Sequence, residues 1–189
     1  MGNPKKSKME VATIDCCLVT IETKTKTFGL DTANEIEVSV QAEEQEAVKL
    51  VVKGQLKAQK PKVTTVTGNE ITLHDNVFNP ELVLALQGGT IKYDTAVPTK
   101  VVGYIPPVAG STDKGEVFNL SVYSARYDAA GLILGYEKIV YPNCQGTPVA
   151  LNSADNSFRA PQYKIYSAPK TGEAPYTISY VDKLPVLED

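Results

Sequence analysis

The alternation of apolar and polar residues along this chain predicts many short strands. The clearest is 35–41, where apolar Ile36, Val38 and Val40 alternate with polar or acidic residues. That period of two is typical of a strand with one buried face. Similar patterns predict further strands at 11–27, 63–67, 70–74, 90–93, 100–104, 116–126, 131–141, 147–152, 163–167 and 176–180. Between the first two strands, 28–34 is predicted to be a turn region.

A single segment, 79–87, has the signals of a helix. Asn79 is a favourable N-cap residue, Pro80 suits the first helical position, and Gly88 suits the end. The apolar residues within it form one broad face, and they are Leu82, Val83, Ala85 and Leu86. A helix of about two turns is not stable alone. We therefore expect it to pack against the sheet.

These elements predict a mainly β fold, a two-sheet β-sandwich or barrel with one short flanking α-helix. At 189 residues the chain is expected to form one domain. We expect a flexible arm at 1–10, a single β-rich domain at 11–183 and a loose tail at 184–189. Residues 41–62 form a long charged excursion within that domain, and we expect an extended hairpin there.

The charges of this excursion are segregated. Acidic residues fill its first part, lysines fill its last part, and three consecutive apolar residues lie between them. The candidate interface residues are Glu43, Glu44, Glu46, Leu50, Val51, Val52, Lys57, Lys60 and Lys62. Two interpretations stay open. The two arms of one hairpin can pair with each other across the strands, or the patches can join neighbouring subunits.

Composition excludes several classes of protein. A net charge of −3 gives no overall basic character for nucleic-acid binding. No apolar run approaches the roughly 20 residues that span a bilayer, and no secretory signal is evident. We therefore expect no membrane anchor. Cys16, Cys17 and Cys144 are expected to be free thiols, because their number is odd and no C-x-x-C motif occurs.

The sequence offers two weak catalytic patterns. His74 and Asp75 are adjacent, but neighbours on a strand point to opposite faces. Ser167 and Lys170 match S-x-x-K, and Lys170 also begins K-T-G. The penicillin-recognising enzymes need two separate lysines for these motifs, so the match is attributed to chance. We expect no catalytic residue, no cofactor and no metal.

The strand and helix at 70–86 resemble a segment of the tail tube (major tail) proteins of tailed phages and related contractile particles. The residues are E-I-T-L-H-D-N-V-F-N-P-E-L-V-L-A-L. The charged excursion is similar to that family's long inter-strand loop, and the strand-rich second half is similar in kind. The resemblance implies two packed β-sheets flanked by a helix, and no catalytic residues.

The same resemblance implies a function in assembly. The chain would form hexameric rings with copies of itself, and the rings would stack into a hollow tube that conducts DNA or punctures as a rigid rod. Sheath, baseplate or terminator proteins would be its other partners. Its place would be the virion tail, assembled in the cytoplasm of the bacterial host.

Two alternatives remain. A tube initiator or a baseplate hub subunit belongs to the same particles and would have the same elements. A monomeric Ig-like binding module would share the strands, but such modules usually carry an export signal and lack this capped helix. An image of the purified protein would separate a tube from a monomer.

Overall fold

The computed structural model describes residues 12–112, 114–151, 155 and 160–187. Within these residues the chain forms twelve strands and one helix, which confirms the mainly β prediction. The elements are β1 (Thr13–Glu22), β2 (Thr27–Leu30), β3 (Ala33–Gln45), β4 (Val48–Val52), β5 (Gln55–Lys60), β6 (Val63–Asp75), α1 (Pro80–Gln87), β7 (Thr90–Tyr93), β8 (Val101–Ile105), β9 (Phe118–Tyr127), β10 (Ile133–Gly146), β11 (Gln162–Ser167) and β12 (Thr177–Val181).

Eight of these strands form one antiparallel sheet in the order β2-β1-β9-β10-β11-β6-β3, with β12 beside β10. The long strand β10 pairs with β9 along one edge. Along its other edge it pairs first with β12 and then with β11, which therefore lie end to end. The hairpins β4–β5 and β7–β8 form separate two-stranded sheets.

The main sheet curls so that its two edge strands approach each other, although no pairing joins them among the described residues. Its two outermost strands, β2 and β3, lie at opposite ends of the hydrogen-bonded order. Asp31 and Thr32 are the only residues that separate them in sequence. This short link forces the two edges together, and β1 contacts β3. The sheet is therefore curled as in a barrel, in agreement with the predicted fold class.

The core fills the inside of this curled sheet. Alternate residues of β1, β6, β9 and β11 point inward, as the strand period requires. The helix covers the core with Leu82, Val83 and Leu86. The largest fully buried side chains are Tyr163, Phe118, Ile21, Ile71, Leu73, Leu82, Leu86, Leu120, Ile165, Val19 and Val83.

The helix begins and ends as the sequence predicts. The Asn79 side chain accepts hydrogen bonds from the backbone N–H groups of Glu81 at 2.9 Å and Leu82 at 3.2 Å. The Gly88 N–H donates to the Leu84 carbonyl at 2.8 Å. The four apolar residues of the predicted face are all buried. Capping and burial together stabilise a helix that is too short to persist alone.

Two local predictions are wrong. Residues 28–34 are not a turn region but contain β2 and the start of β3, and the hairpin turn lies at Thr23–Lys26 instead. The Thr23 hydroxyl accepts hydrogen bonds from two backbone N–H groups of that turn. Residues 147–151 are irregular rather than a strand, because Pro148 cannot donate a ladder hydrogen bond. Asn152 lies outside the described residues.

The structure describes the predicted terminal segments only in part. The expected arm at 1–10 lies outside the described residues. The expected tail begins after β12, and within it the Leu187 side chain lies against Gly29. Residues 188–189 again lie outside the described residues.

Candidate subunit interface

Strands β3 and β6 extend well beyond the barrel and carry the β4–β5 hairpin at their far end. We call residues 41–67 the arm. Its base is the pairing of Ala42–Gln45 with Val63–Val66, and a bulge at Thr67 separates this base from the barrel. The Thr67 hydroxyl donates to the Gln41 carbonyl at 3.2 Å. Every residue of the arm is exposed except Ala47, which is half-buried. The predicted extended hairpin at 41–62 is present within it.

The tip of the arm is a tight hairpin. Lys53 and Gly54 connect β4 to β5 and both have positive φ, 50° and 77°. Such a two-residue turn matches the twist of the flanking strands. Val51 lies opposite Leu56 in the strand register. The tip is therefore an ordered β-ribbon that presents an apolar pair.

Aliphatic side chains line the arm without being buried by it. Their exposed fractions run from 41% for Val63 to 64% for Val48. The full set is Val48, Leu50, Val51, Val52, Leu56, Val63 and Val66. An isolated two-stranded hairpin is marginal in water, and exposed apolar patches of this kind mark interaction sites. These aliphatic side chains are therefore not buried by the rest of the described subunit.

Some charged residues of the arm are paired within it, and others have no ion-pair partner among the described residues. Lys62 and Glu44 form an ion pair across the base, at 2.6 Å. Lys60 donates to the Gln45 side chain at 3.3 Å, and Lys57 donates to Gln55 at 2.9 Å. Across the described residues of the chain, neither Glu43 nor Glu46 has an ion-pair partner. Pairing within one hairpin thus accounts for a single acidic residue of the three.

A second apolar protrusion lies at the same end of the barrel. Strands β6 and β10 both run antiparallel to β11, so they are parallel and their first residues, Val63 and Ile133, lie at one end. The β9–β10 turn at this end exposes Leu132, Ile133 and Leu134, by 66%, 53% and 58%. The Asp128 carboxylate accepts two backbone hydrogen bonds and orders the turn.

Sequence reasoning did not identify this second protrusion. The signal was the run of three apolar residues directly after the glycine of a hairpin turn. The helix follows the far end of β6, so it lies at the opposite end of the barrel. The subunit therefore has one end with exposed apolar protrusions and another that is capped by the helix.

The weak catalytic patterns are not assembled into a site. Ser167 is buried, and its hydroxyl donates to the Pro142 carbonyl at 2.8 Å. Asp75 is buried, accepts from the Thr32 hydroxyl and from the backbone N–H of Val77, and points away from His74. His74 lies instead beside the Gln162 amide, at 3.3 Å. None of these side chains forms a nucleophile–base pair with another.

The thiols are separated between two environments. All three cysteines are free; Cys144 is buried, and Cys16 and Cys17 are half-buried. Burial raises the pKa of the Cys144 thiol to about 12, and burial, followed by the neighbouring Cys17, raises that of Cys16. Among the described residues, no three His, Cys, Asp or Glu side chains are grouped so that they could hold a metal ion.

No helix in the described part of the chain is both long and apolar enough to cross a bilayer.

Comparisons with known proteins give structural similarities only. No family model and no curated protein sequence matches this chain. A sheath-tube complex of an extracellular contractile injection system (PVC) is similar at 12% identity and a TM-score of 0.45, covering 87% of this chain and 90% of the other. The tube-terminating cap of the anti-feeding prophage is similar at 11% identity and 0.45, covering 95% and 97%. Hcp1 from Flavobacterium johnsoniae is similar at 14% identity and 0.39, covering 88% and 99%.

Proposed function

We propose that this chain is a structural subunit of a phage-tail-like particle and that it assembles with copies of itself into a tube through the arm. The carrying observation is the arm's row of exposed aliphatic side chains, from Val48 to Val66. The sequence resemblance of 70–86 to tail tube proteins supports the same proposal. Hexameric rings, their stacking and passage of DNA through the lumen are the finer parts that this resemblance implies.

The arm cannot bury its own apolar residues. It has no core of its own, so its apolar residues gain stabilisation only when another surface covers them. Docking of one arm on an identical neighbour is a heterologous contact, since the arm meets a different surface of the next copy. A heterologous contact closes into a ring or continues along an axis. Both outcomes are needed for a tube made of stacked rings.

The position of the apolar protrusions gives the assembly a direction. The arm and the exposed residues 132–134 of the β9–β10 turn lie at one end of the barrel, and the helix lies at the other. A subunit of this kind adds to a growing end in one orientation, because its two ends present different surfaces. This supports stacked rings that all point the same way.

The charges would fix the register of the contact. The Glu44–Lys62 pair is satisfied within the subunit and stiffens the base of the arm. Glu43 and Glu46 have no ion-pair partner among the described residues, so they are the acids available to Lys57 and Lys60 of a neighbour. Complementary charges select the orientation of a contact, while apolar burial supplies most of its affinity.

The test is a subunit that keeps the base of the arm but lacks its outer hairpin. Gln45 and Val63 are paired in the register, so replacing 46–62 with Asn-Gly closes β3 onto β6 through a favourable two-residue turn. We expect a folded monomer with the circular dichroism of a β protein and no tubes by negative-stain electron microscopy. Tubes of normal length from this variant would refute the proposal.

A matched pair of variants tests the apolar contact by itself. Val51→Ser with Leu56→Ser removes the opposed apolar pair at the tip without changing the net charge. Lys49→Gln with Gln59→Lys alters the opposed polar pair of the same hairpin, also without changing the net charge. We expect the first variant to remain monomeric and the second to assemble as the unchanged protein does. Equal assembly of both variants would count against apolar docking.

The alternatives give different images. A tube initiator or baseplate hub subunit would form single rings that do not elongate. An Ig-like binding module would stay monomeric at every concentration, with or without the arm. Sheath and baseplate or terminator proteins are the partners expected for a tube, and co-assembly with a purified tube would be the way to find them.

A further inference from the structure

A patch on the outside of the barrel is buried although it faces away from the core. Leu18 and Thr20 of β1 alternate with the core residues Val19 and Ile21, yet they are buried as fully. Ser121 and Tyr123 of β9 lie directly opposite them in the register and are buried too. None of these four belongs to the main core cluster. Another part of the molecule must therefore cover this outer face.

The segment after β12 lies on the edge of this patch. We call residues 183–187 the strap. The Leu187 side chain occupies the space beside Gly29 of β2: a Cβ on Gly29 would lie 2.1 Å from Leu187 Cδ2. Gly29 pairs with Thr20, which in turn pairs with Ser121. Directly opposite residues share a face of the sheet, so Leu187 lies over one end of this row.

The surface next to the strap is not suited to permanent burial. The hydroxyl oxygens of Thr20 and Ser121 are buried without a hydrogen-bond partner among the described residues. A buried hydroxyl that lacks a partner destabilises the folded state, because it loses its hydrogen bonds to water. A surface that is at times open to water or to another chain can retain such groups.

The strap is also weakly attached. Its residues make no hydrogen bond with any other described residue. Leu187 keeps 40% of its surface exposed, and its neighbour Val186 keeps 90%. The attachment therefore depends on partial burial of Leu184 and of Leu187, and Leu187 occupies a place that only glycine leaves open.

We propose that the strap is a releasable brake on assembly: its Leu187 covers Gly29 on the outer face of β2, and a second copy of this chain replaces it there. β2 is an open edge of the main sheet, paired in the described structure with β1 alone. A neighbour that packs on this edge has to displace Leu187. The identity of the second copy rests on the proposed function. The contact of Leu187 with Gly29, which we call the seat of the strap, does not depend on it.

A single substitution can displace Leu187 from Gly29 without disturbing the fold. Gly29→Ala places a methyl group where Leu187 lies, and alanine is compatible with the backbone of this strand because no positive φ is required there. Leu187→Ser removes the same contact by shortening the side chain of the strap. Gly103→Ala is the matched control, since a Cβ at Gly103 has an ordinary contact of 3.9 Å with Lys92.

Trypsin cleavage after Lys183 measures release of the strap, and cleavage after Lys57 in the arm serves as an internal reference. We expect Gly29→Ala and Leu187→Ser to speed cleavage after Lys183 by about tenfold, the change in equilibrium that partial burial of a leucine supports. The control should match the unchanged protein. Equal cleavage after Lys183 in all four proteins would refute the seat.

Assembly is then measured by sedimentation of tubes over a range of protein concentrations. Both releasing variants should assemble at a concentration about tenfold lower, because the competent state is no longer a minor fraction. Faster cleavage with unchanged or weaker assembly would refute the brake. If no protein assembles at all, the proposed function fails, and so does the proposal that the strap inhibits assembly. The cleavage rates still show whether Leu187 is held against Gly29.

Discussion

The barrel and the arm share the strands β3 and β6, but the residues of β6 are buried or half-buried in the barrel and exposed in the arm. Within the barrel, Leu73 and Ile71 of β6 are completely buried against the helix and the neighbouring strands. Further out on the same strand, Val66 and Val63 keep 44% and 41% of their surface exposed. The strand pairing continues across this boundary, with one register shift at the Thr67 bulge. Hydrogen bonding therefore continues into the arm, whereas burial stops.

This difference separates two groups of apolar residues that look alike in a sequence. In the barrel, apolar residues determine the stability of the subunit itself. In the arm, they contribute nothing comparable until another molecule covers them. Three experiments on the isolated subunit can break or sharpen this contrast, and the first is expected to have the largest effect.

A leucine should matter in the barrel and not in the arm. Leu86 of the helix is 1% exposed, so Leu86→Ala should lower the free energy of unfolding by about 2–5 kcal/mol through lost burial and a cavity. Leu56→Ala at the tip should change it by less than about 0.5 kcal/mol, as at other surface positions. Denaturant unfolding of both variants gives the comparison. Similar losses would mean that the arm packs on its own subunit.

Alkaline pH should destabilise the barrel through a buried thiol. The folded state raises the pKa of Cys144 from 9.0 to about 12, so it favours the neutral thiol. The resulting stabilisation is complete below pH 9 and is lost as the pH rises towards 12. The loss should approach roughly 4 kcal/mol, at about 1.4 kcal/mol for each pKa unit.

The same measurement in Cys144→Ala supplies the control. Its stability should fall less between pH 9 and 12, and the remaining slope belongs in part to Tyr163, whose pKa burial also raises to about 12. Identical slopes in the two proteins would show that the Cys144 thiolate is not excluded by the fold.

The ion pair at the base of the arm should contribute least. Glu44 and Lys62 are both about half exposed, and ion pairs in such positions are worth at most about 1 kcal/mol. A double-mutant cycle with Glu44→Gln and Lys62→Gln should give a coupling energy in that range. A coupling energy several times larger would show that the arm is stabilised within its own subunit rather than by a neighbour.

The parts of the fold that sequence reasoning predicted are those that local signals determine. Asn79, Pro80 and Gly88 define the helix through groups only a few residues apart. The alternation of Ile36, Val38 and Val40 predicts β3 in the same way. Segregated charge and an apolar run located the arm. Its contribution to assembly stays a prediction, because only a second copy can test it.

The parts that were missed depend on tertiary contacts. Gly29 reads as a turn residue in sequence, but it belongs to a strand and makes room for Leu187. Residues 147–151 have strand-like composition, but the Val149 N–H is bonded to the Gln87 side chain rather than to a ladder. The shared end of the arm and the β9–β10 turn follows from strand order, which no local pattern encodes. Contacts between residues that are distant in sequence determined all three outcomes.

The pairing of Gln45 with Val63 at the base of the arm has an evolutionary consequence. It separates the reach of the subunit from the closure of its barrel, because everything beyond this pair can be lengthened or shortened as one hairpin. Adding two residues to each strand would extend the reach by about 6.8 Å and keep every side chain on its present face. Adding one residue to each would turn the apolar positions to the opposite face. Related subunits should therefore differ in arm length by steps of two residues per strand, while the barrel changes little.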